Sequence, residues 1–178
     1  LRIIRTHKMI RNALIELLKN KEFEQIAMQE IVDLAMVNRA TFYKYYSGKS
    51  DLAGAMIDDF KAEYQALLQE RFSNEFDMQT LMNKTLPALY DKRELILALW
   101  KISTKRHHLW FDMFLMIKQN FIKYAQAKTR RQHFEFQGEM LATLILASAK
   151  YRFEQNQDYH PQKIIKQLNE MMMLAFNE

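Results

Sequence analysis

Apolar residues recur at helical spacing along almost the whole chain. Ile3, Ile10, Ala13, Leu14, Leu17 and Leu18 share one arc, with Arg2, Arg5 and Arg11 largely elsewhere on the wheel. That first helix is expected to end near Asn20, after which Phe23 and Ile26 anchor the approach to a second. Met28, Ile31, Val32 and Ala35 pattern the second helix, and Met36-Val37-Asn38 breaks it from a third that opens Arg39-Ala40-Thr41-Phe42-Tyr43-Lys44. Ser47-Gly48 forms another break. A long fourth helix is predicted from about Lys49 to Phe72, striped by Leu52, Met56, Phe60, Tyr64, Leu67 and Leu68. Five more follow, over Asp77–Leu89, Lys92–Ser103, His107–Ala127, Phe134–Gln155 and Pro161–Asn177, with Pro161 suited to a first helical turn. The expected fold is all-α with about nine helices: a three-helix head over residues 1–48, joined through the fourth helix to a helical body over 49–178.

Composition supports that reading. Only three Gly and two Pro punctuate 178 residues, and the absence of cysteine removes disulfides, thiolate metal sites and a cysteine nucleophile. The longest largely apolar run, Met140 to Ala149, is too short to span a bilayer. No charged segment followed by a short apolar one opens the sequence. A cytoplasmic protein without a membrane span is expected. The formal charge is +5, and residues 1–50 hold nine basic against five acidic side chains. Nearly all the excess positive charge thus lies in the head, as attraction to phosphates requires.

Two helices joined by a turn of about three to four residues make a helix-turn-helix, whose second helix enters the DNA major groove. The third helix carries the needed chemistry: a guanidinium, a small side chain, a hydroxyl, a phenol and an ammonium. The run Arg39-Ala40-Thr41-Phe42-Tyr43-Lys44-Tyr45-Tyr46, then Lys49 and Asp51-Leu52, resembles the tetracycline-repressor (TetR) family. So does the layout of one helix before the reader and a long helix after it. The specific part of the likeness covers about residues 8–55. The Arg-Ala-Thr-Phe-Tyr variant also resembles a subgroup that includes regulators of dihydroxyacetone utilisation.

The resemblance implies a homodimer that binds double-stranded DNA at a palindromic operator, usually represses, and responds to an unidentified small molecule bound in the body. It implies that Asn38 caps the recognition helix and that Arg39, Ala40 and Thr41 touch base edges and nearby phosphates. Tyr43 and Lys44 match phosphate-contacting positions, and Lys49 matches a lysine near the DNA backbone. Physically, Arg39 can pair bidentately with guanine O6/N7, and Ala40 or the Thr41 methyl can meet a thymine methyl. Tyr43 and Lys44 would set register without reading sequence. Phe42 and Tyr46 are expected in the head's core, while Tyr45 suits packing and DNA contact equally. In two places the chain departs from the family. Met36 stands where Gly is common in the turn, and Ile26-Ala27-Met28 lacks the Ser/Thr that often caps the second helix.

In the body, Gly138, Ala142 and Ala149 with Leu141 and Ile145, and then Ile164, Leu168, Met171 and Met172, surround the last two helices with more apolar surface than one packed face requires. Such a hairpin either pairs with its copy across a two-fold axis or is central in the monomer; the DNA half-site symmetry favours the pair. Trp100, Trp110, Phe111, Phe114 and Tyr124 are candidates to border an apolar ligand pocket, or ordinary core. His107-His108 point about 100° apart on a helix and make a poor metal site. Lys128, Arg130 and Arg131 read as a solvated loop. No HExxH, phosphate-binding Gly loop or Gly-x-Ser-x-Gly is present, so neither an enzyme nor a cofactor or metal is expected. The alternatives are an activator or co-activator of the same fold, and a helical interaction module without DNA dependence.

Overall fold

The computed structural model describes residues 2–73, 86–157 and 160–176, apart from the side chains of Arg2, Ile3, Pro161, Ile164 and Phe176. Among these residues there are nine α-helices: α1 (Arg2–Asn20), α2 (Met28–Leu34), α3 (Arg39–Tyr43), α4 (Lys49–Arg71), α5 (Leu86–Asp91), α6 (Arg93–Trp100), α7 (Leu109–Thr129), α8 (Glu135–Glu154) and α9 (Pro161–Phe176). A 3₁₀ turn, Phe23–Gln25, precedes α2. No strand occurs among the described residues, only a single bridge between Ser103 and His108. The fold is all-α. Most of the helix expected over Asp77–Leu89 lies outside the described residues; its last turn opens α5, which continues to Asp91.

Two compact units form, Leu1–Leu68 with Glu94–Met116, and Gln69–Arg93 with Ile117–Glu178. The division falls near the end of α4 and inside α7, so residues 1–48 pack as part of a larger first unit. Its core comes from the predicted stripes: Ile10, Leu14 and Leu18 of α1, Ile31 and Val32 of α2, Phe42 of α3, and Leu52, Met56, Ile57 and Phe60 of α4 are all buried. Ile96 and Leu99 of α6 and Ile102 join them.

The expected helix over Lys92–Ser103 stops at Trp100. Lys101 Nζ instead donates to the carbonyls of Leu18 and Lys19, at 2.7 and 3.0 Å, closing the exposed C-terminal end of α1. A lysine there satisfies orphan carbonyls and complements the negative end of the helix dipole.

The loop from Lys101 to His108 then lays His107 across α4. A Cβ on Gly54 would stand 2.7 Å from His107 Cε1, and His107 Nε2 lies 3.4 Å from Ser50 Oγ. Gly54→Ala is therefore expected to destabilise by about 1–3 kcal/mol through overpacking. In a His107→Ala background the same change should instead stabilise by up to about 1 kcal/mol, the helix-propensity gain of Ala over Gly. Urea unfolding of the four proteins would show that reversal of sign, and an unchanged penalty in the double variant would reject the contact.

In the second unit α8 packs its small residues inward. Gly138 approaches Ile122 Cγ1 and Lys118 Cγ so closely that a Cβ would lie 3.1 and 3.2 Å from them. Ala142 has no exposed surface, and Leu146 and Phe153 continue this buried face. Phe72 meets Phe121 and Tyr124, with ring centroids 6.3 and 5.9 Å apart, and Lys118 pairs with Glu139. Arg152 is buried beside its apolar neighbours and donates to Gln167 Oε1 at 3.0 Å. The opposite arc of α8 exposes Phe136, Met140 and Tyr151, and α9 exposes Ile165, Met171, Met172, Met173 and Leu174.

Candidate nucleic-acid interface

The turn between α2 and α3 is built by backbone geometry. Val37 N–H donates to Val32 C=O at 3.0 Å and Met36 N–H to Asp33 C=O at 3.1 Å. This is the Schellman arrangement, which needs a left-handed residue just past the helix end. Met36 is that residue, with φ +52° and a side chain 83% exposed. A side chain in this conformation costs about 1–2 kcal/mol, and Met36 loses no packing if removed. Met36→Gly is expected to raise stability by about 1 kcal/mol, as measured by urea unfolding. A loss of stability would mean that the Met36 side chain contributes contacts.

Asn38 starts α3. Its backbone is extended and its Oδ1 accepts from Thr41 N–H at 2.7 Å, satisfying one of the helix's orphan donors. Ala27 begins α2 with no side-chain cap. Glu30 compensates by accepting Ala27 N–H at 3.0 Å, and its carboxylate also pairs with Lys21. The Lys21 partner, together with the Ala27 N–H, holds the Glu30 carboxyl below its ordinary pKa. The missing hydroxyl cap is thus replaced by the reciprocal half of a capping box.

Only Phe42 of α3 is buried. Arg39, Ala40, Tyr43 and Lys44 are exposed on the remaining surface, Tyr43 by 54%, and Thr41 is half-buried. Tyr46 is buried and its hydroxyl is held from α1, by His7 Nδ1 at 2.8 Å and Arg11 Nε at 3.1 Å. Arg11 also pairs with Asp59 of α4 at 2.7 Å, so one guanidinium ties α1 to α4 and to the segment after α3. Tyr45 is half-buried, its ring 4.3 Å from that of His7. Asp51 fastens the next turn, accepting from Ser47 N–H at 2.7 Å and from its hydroxyl at 3.1 Å.

Lys49 stands apart from the other basic residues. Its ammonium donates to three carbonyls of the turn before α2, Phe23, Glu24 and Ile26, at 2.8, 2.9 and 2.7 Å. It also lies 5.0 Å over the Phe23 ring. An ammonium has three donors, and here all three are engaged within the chain. The sequence offered no sign of this, because the turn and Lys49 are more than twenty residues apart.

Two residues that sequence reasoning passed over stand beside Arg39. Gln29 Oε1 accepts from Arg39 Nε at 2.7 Å, and Gln29 Nε2 donates to Asp33 Oδ1 at 2.7 Å. Their spacing, i and i+4 on α2, was the available signal.

Four of the aromatic residues proposed for a pocket pack in two pairs within the first unit. Trp100 and Trp110 pack edge to face at 4.7 Å, and Trp100 Nε1 donates to Met113 Sδ at 3.2 Å. Phe111, 50% exposed, stacks on Phe114 at 6.3 Å. Tyr124 belongs to the second unit. A cleft of about 540 Å³ in the first unit is lined instead by residues of α1, α4 and α6, including His7, Arg11, Phe60 and Leu95. Of the residues placed at a partner interface, Leu141, Ile145, Ala149 and Leu168 are half-buried and Met171 and Met172 exposed, while Ile164's side chain lies outside the described residues. Gly138 and Ala142 differ from the expectation: both are buried against their own chain, because the small side chains let α8 approach α7 closely.

Comparison with known proteins agrees with this geometry. Residues 10–56 match the family described as "Bacterial regulatory proteins, tetR family". An uncharacterized HTH-type transcriptional regulator of Bacillus subtilis (strain 168), YxbF, is 36% identical over 76 residues. That match covers 42% of this chain and 19% of YxbF, so this chain spans about a fifth of that relative. Among solved structures, a gamma-butyrolactone receptor (ArpA-like protein) aligns with TM-score 0.59 at 15% identity, over 88% of this chain and 99% of its own. The dihydroxyacetone kinase operon activator DhaS aligns with TM-score 0.53 at 18% identity, over 96% and 95%. The structural likenesses establish the shared fold. Residues 10–56 thus carry the likeness to the tetR family of bacterial regulatory proteins.

Proposed function

We propose that the protein is a sequence-specific DNA-binding regulator of transcription, acting in the cytoplasm as a homodimeric repressor at a palindromic operator and modulated by a small molecule. One observation carries the reading. Helix α3 is anchored from below by Phe42 and Tyr46, and presents Arg39, Ala40, Tyr43 and Lys44 outward on the segment that matches the family. Those side chains are the ones able to read base edges and grip phosphates.

The exposed apolar arcs of α8 and α9 support the dimer. Phe136, Met140 and Tyr151 on one helix and Ile165, Met171 and Met172 on the other are each 46% or more exposed. A monomer gains nothing from leaving such surface in water, whereas a two-fold pair of hairpins buries it. A dimer also places two readers for half-sites about one helical turn apart, roughly 34 Å. A ligand would act by binding one arrangement of the readers more tightly than another. Activation in place of repression is the second reading, since DhaS, of the same fold, is an operon activator. Reporter output after deletion of the gene distinguishes the two signs.

Selection from a randomised duplex library at two salt concentrations tests DNA reading, with sedimentation of Met172→Glu testing the dimer. A palindrome whose affinity falls steeply with salt, and a Met172→Glu protein that is folded but monomeric, are expected. Absence of any enriched sequence, or a Met172→Glu dimer of undiminished affinity, would overturn the corresponding half of the proposal.

A further inference from the structure

The geometry points to Gln29 and Asp33 as positioning residues that set the base preference of Arg39; this rests on α3 being the DNA reader. Gln29 and Asp33 lie four residues apart on the exposed side of α2, and Arg39 opens α3 across the turn. The hydrogen bonds run in one direction, from Arg39 Nε to Gln29 Oε1 and from Gln29 Nε2 to Asp33 Oδ1, each 2.7 Å.

Chemistry dictates that direction. A guanidinium only donates and an ionised carboxylate only accepts. A side chain that bridges them must show oxygen to one and N–H to the other, as a primary amide does. Turning the Gln29 amide over would set its NH₂ against Arg39 and its oxygen against Asp33, and lose both bonds. The relay therefore holds the amide in one orientation, and the amide holds the guanidinium by its Nε edge. The two terminal nitrogens of Arg39 are left for a partner, and that pair is what guanine O6 and N7 accept bidentately.

Rigidity is the gain. A free arginine side chain loses rotamer freedom when it docks on a base, whereas one already held by Gln29 loses less. All three side chains are exposed, so the bonds add little to folding and their removal leaves the unit intact. Asp33 also brings a negative charge next to the reader, which disfavours any duplex on electrostatic grounds. An anion in that place is consistent with a device for selectivity and not for affinity.

A double-mutant cycle read by selection from a randomised duplex library tests the relay. The proteins are wild type, Gln29→Ala, Arg39→Ala, the double variant and Asp33→Ala. Arg39→Ala identifies the base pair that Arg39 reads. Gln29→Ala is expected to weaken discrimination at that same base pair about 2- to 10-fold, the range expected from freeing one long side chain. Its binding to unrelated duplex and its salt dependence should stay as in wild type. In the Arg39→Ala background Gln29→Ala should change nothing further. Asp33→Ala should weaken discrimination at the same position while raising affinity for unrelated duplex.

Unchanged preference in Gln29→Ala, with Arg39→Ala behaving as described, overturns the relay and leaves the DNA-reading function standing. A change at a different base pair, or one that persists without Arg39, overturns it too and makes Gln29 a direct reader. If wild type enriches no sequence, the function and the relay fall together.

Discussion

Lys49→Ala is expected to destabilise the first unit by about 2–3 kcal/mol, the range for loss of hydrogen bonds made by a charged group. The ammonium gathers the carbonyls of Phe23, Glu24 and Ile26, which otherwise have no common donor at the entrance to α2. Phe23 and Ile26 are themselves core residues, so loosening this turn loosens the packing of α2. Urea unfolding measures the loss. Lys49→Arg keeps the charge but replaces a compact three-fold donor by a planar fork, and is expected to recover only part of it. A comparison with Lys44→Ala separates structure from DNA contact. Lys44 is exposed on α3, so its removal should leave stability nearly unchanged and reduce the salt slope of DNA binding by about one. Should Lys49→Ala instead show wild-type stability and the reduced salt slope, Lys49 would be a phosphate ligand and its internal bonds incidental.

Arg39→Ala carries the largest expected effect on function. Binding to the selected operator should weaken by about 1–3 kcal/mol, and preference should relax at the one base pair that Arg39 reads. Non-specific binding should change only by the loss of one positive charge. Stability should stay within about 0.5 kcal/mol of wild type, because the side chain is exposed and its internal bond goes only to Gln29. Competition binding against the operator and its single-base variants tests both statements. Equal losses at every base pair would assign Arg39 to the phosphate backbone.

Much of the helix-turn-helix was legible because its determinants are local. The cap of α3 follows from Asn38 standing before a short run that Phe42 pins to the core. The strained turn follows from Met36, since a helix end closed in the Schellman manner needs φ above zero whatever residue occupies it. Both departures from the family pattern prove local: the structure keeps the left-handed backbone at Met36, and Glu30 serves in place of a hydroxyl at Ala27.

The body was less legible. Periodicity located α7, α8 and α9 to within a few residues, yet it did not say which arc of α8 faces inward. Gly138 and Ala142 suggested a surface that meets a partner, and they prove to be the buried arc, where a missing side chain lets Ile122 and Lys118 approach. Small residues mark close approach of some helix, and nothing in a helical wheel names which one. Likewise Trp100, Trp110 and Phe114 are aromatic enough to line a cavity, but Trp100 packs on Trp110 and Met113, and Phe114 stacks on Phe111.

Sequence alone determined α1 to α4 and α7 to α9, their order, the turn, the cap and the residue types on α3, since these depend on neighbours three or four positions away. Tertiary structure alone decided what Lys49, Lys101, His7 and Gln29 do. Each of these polar side chains bonds to a group in another part of the chain, and His107 is fitted to a glycine more than fifty residues away. A hydrogen bond requires its two atoms to meet at about 3 Å, a condition that periodicity leaves open and only the packed chain can meet.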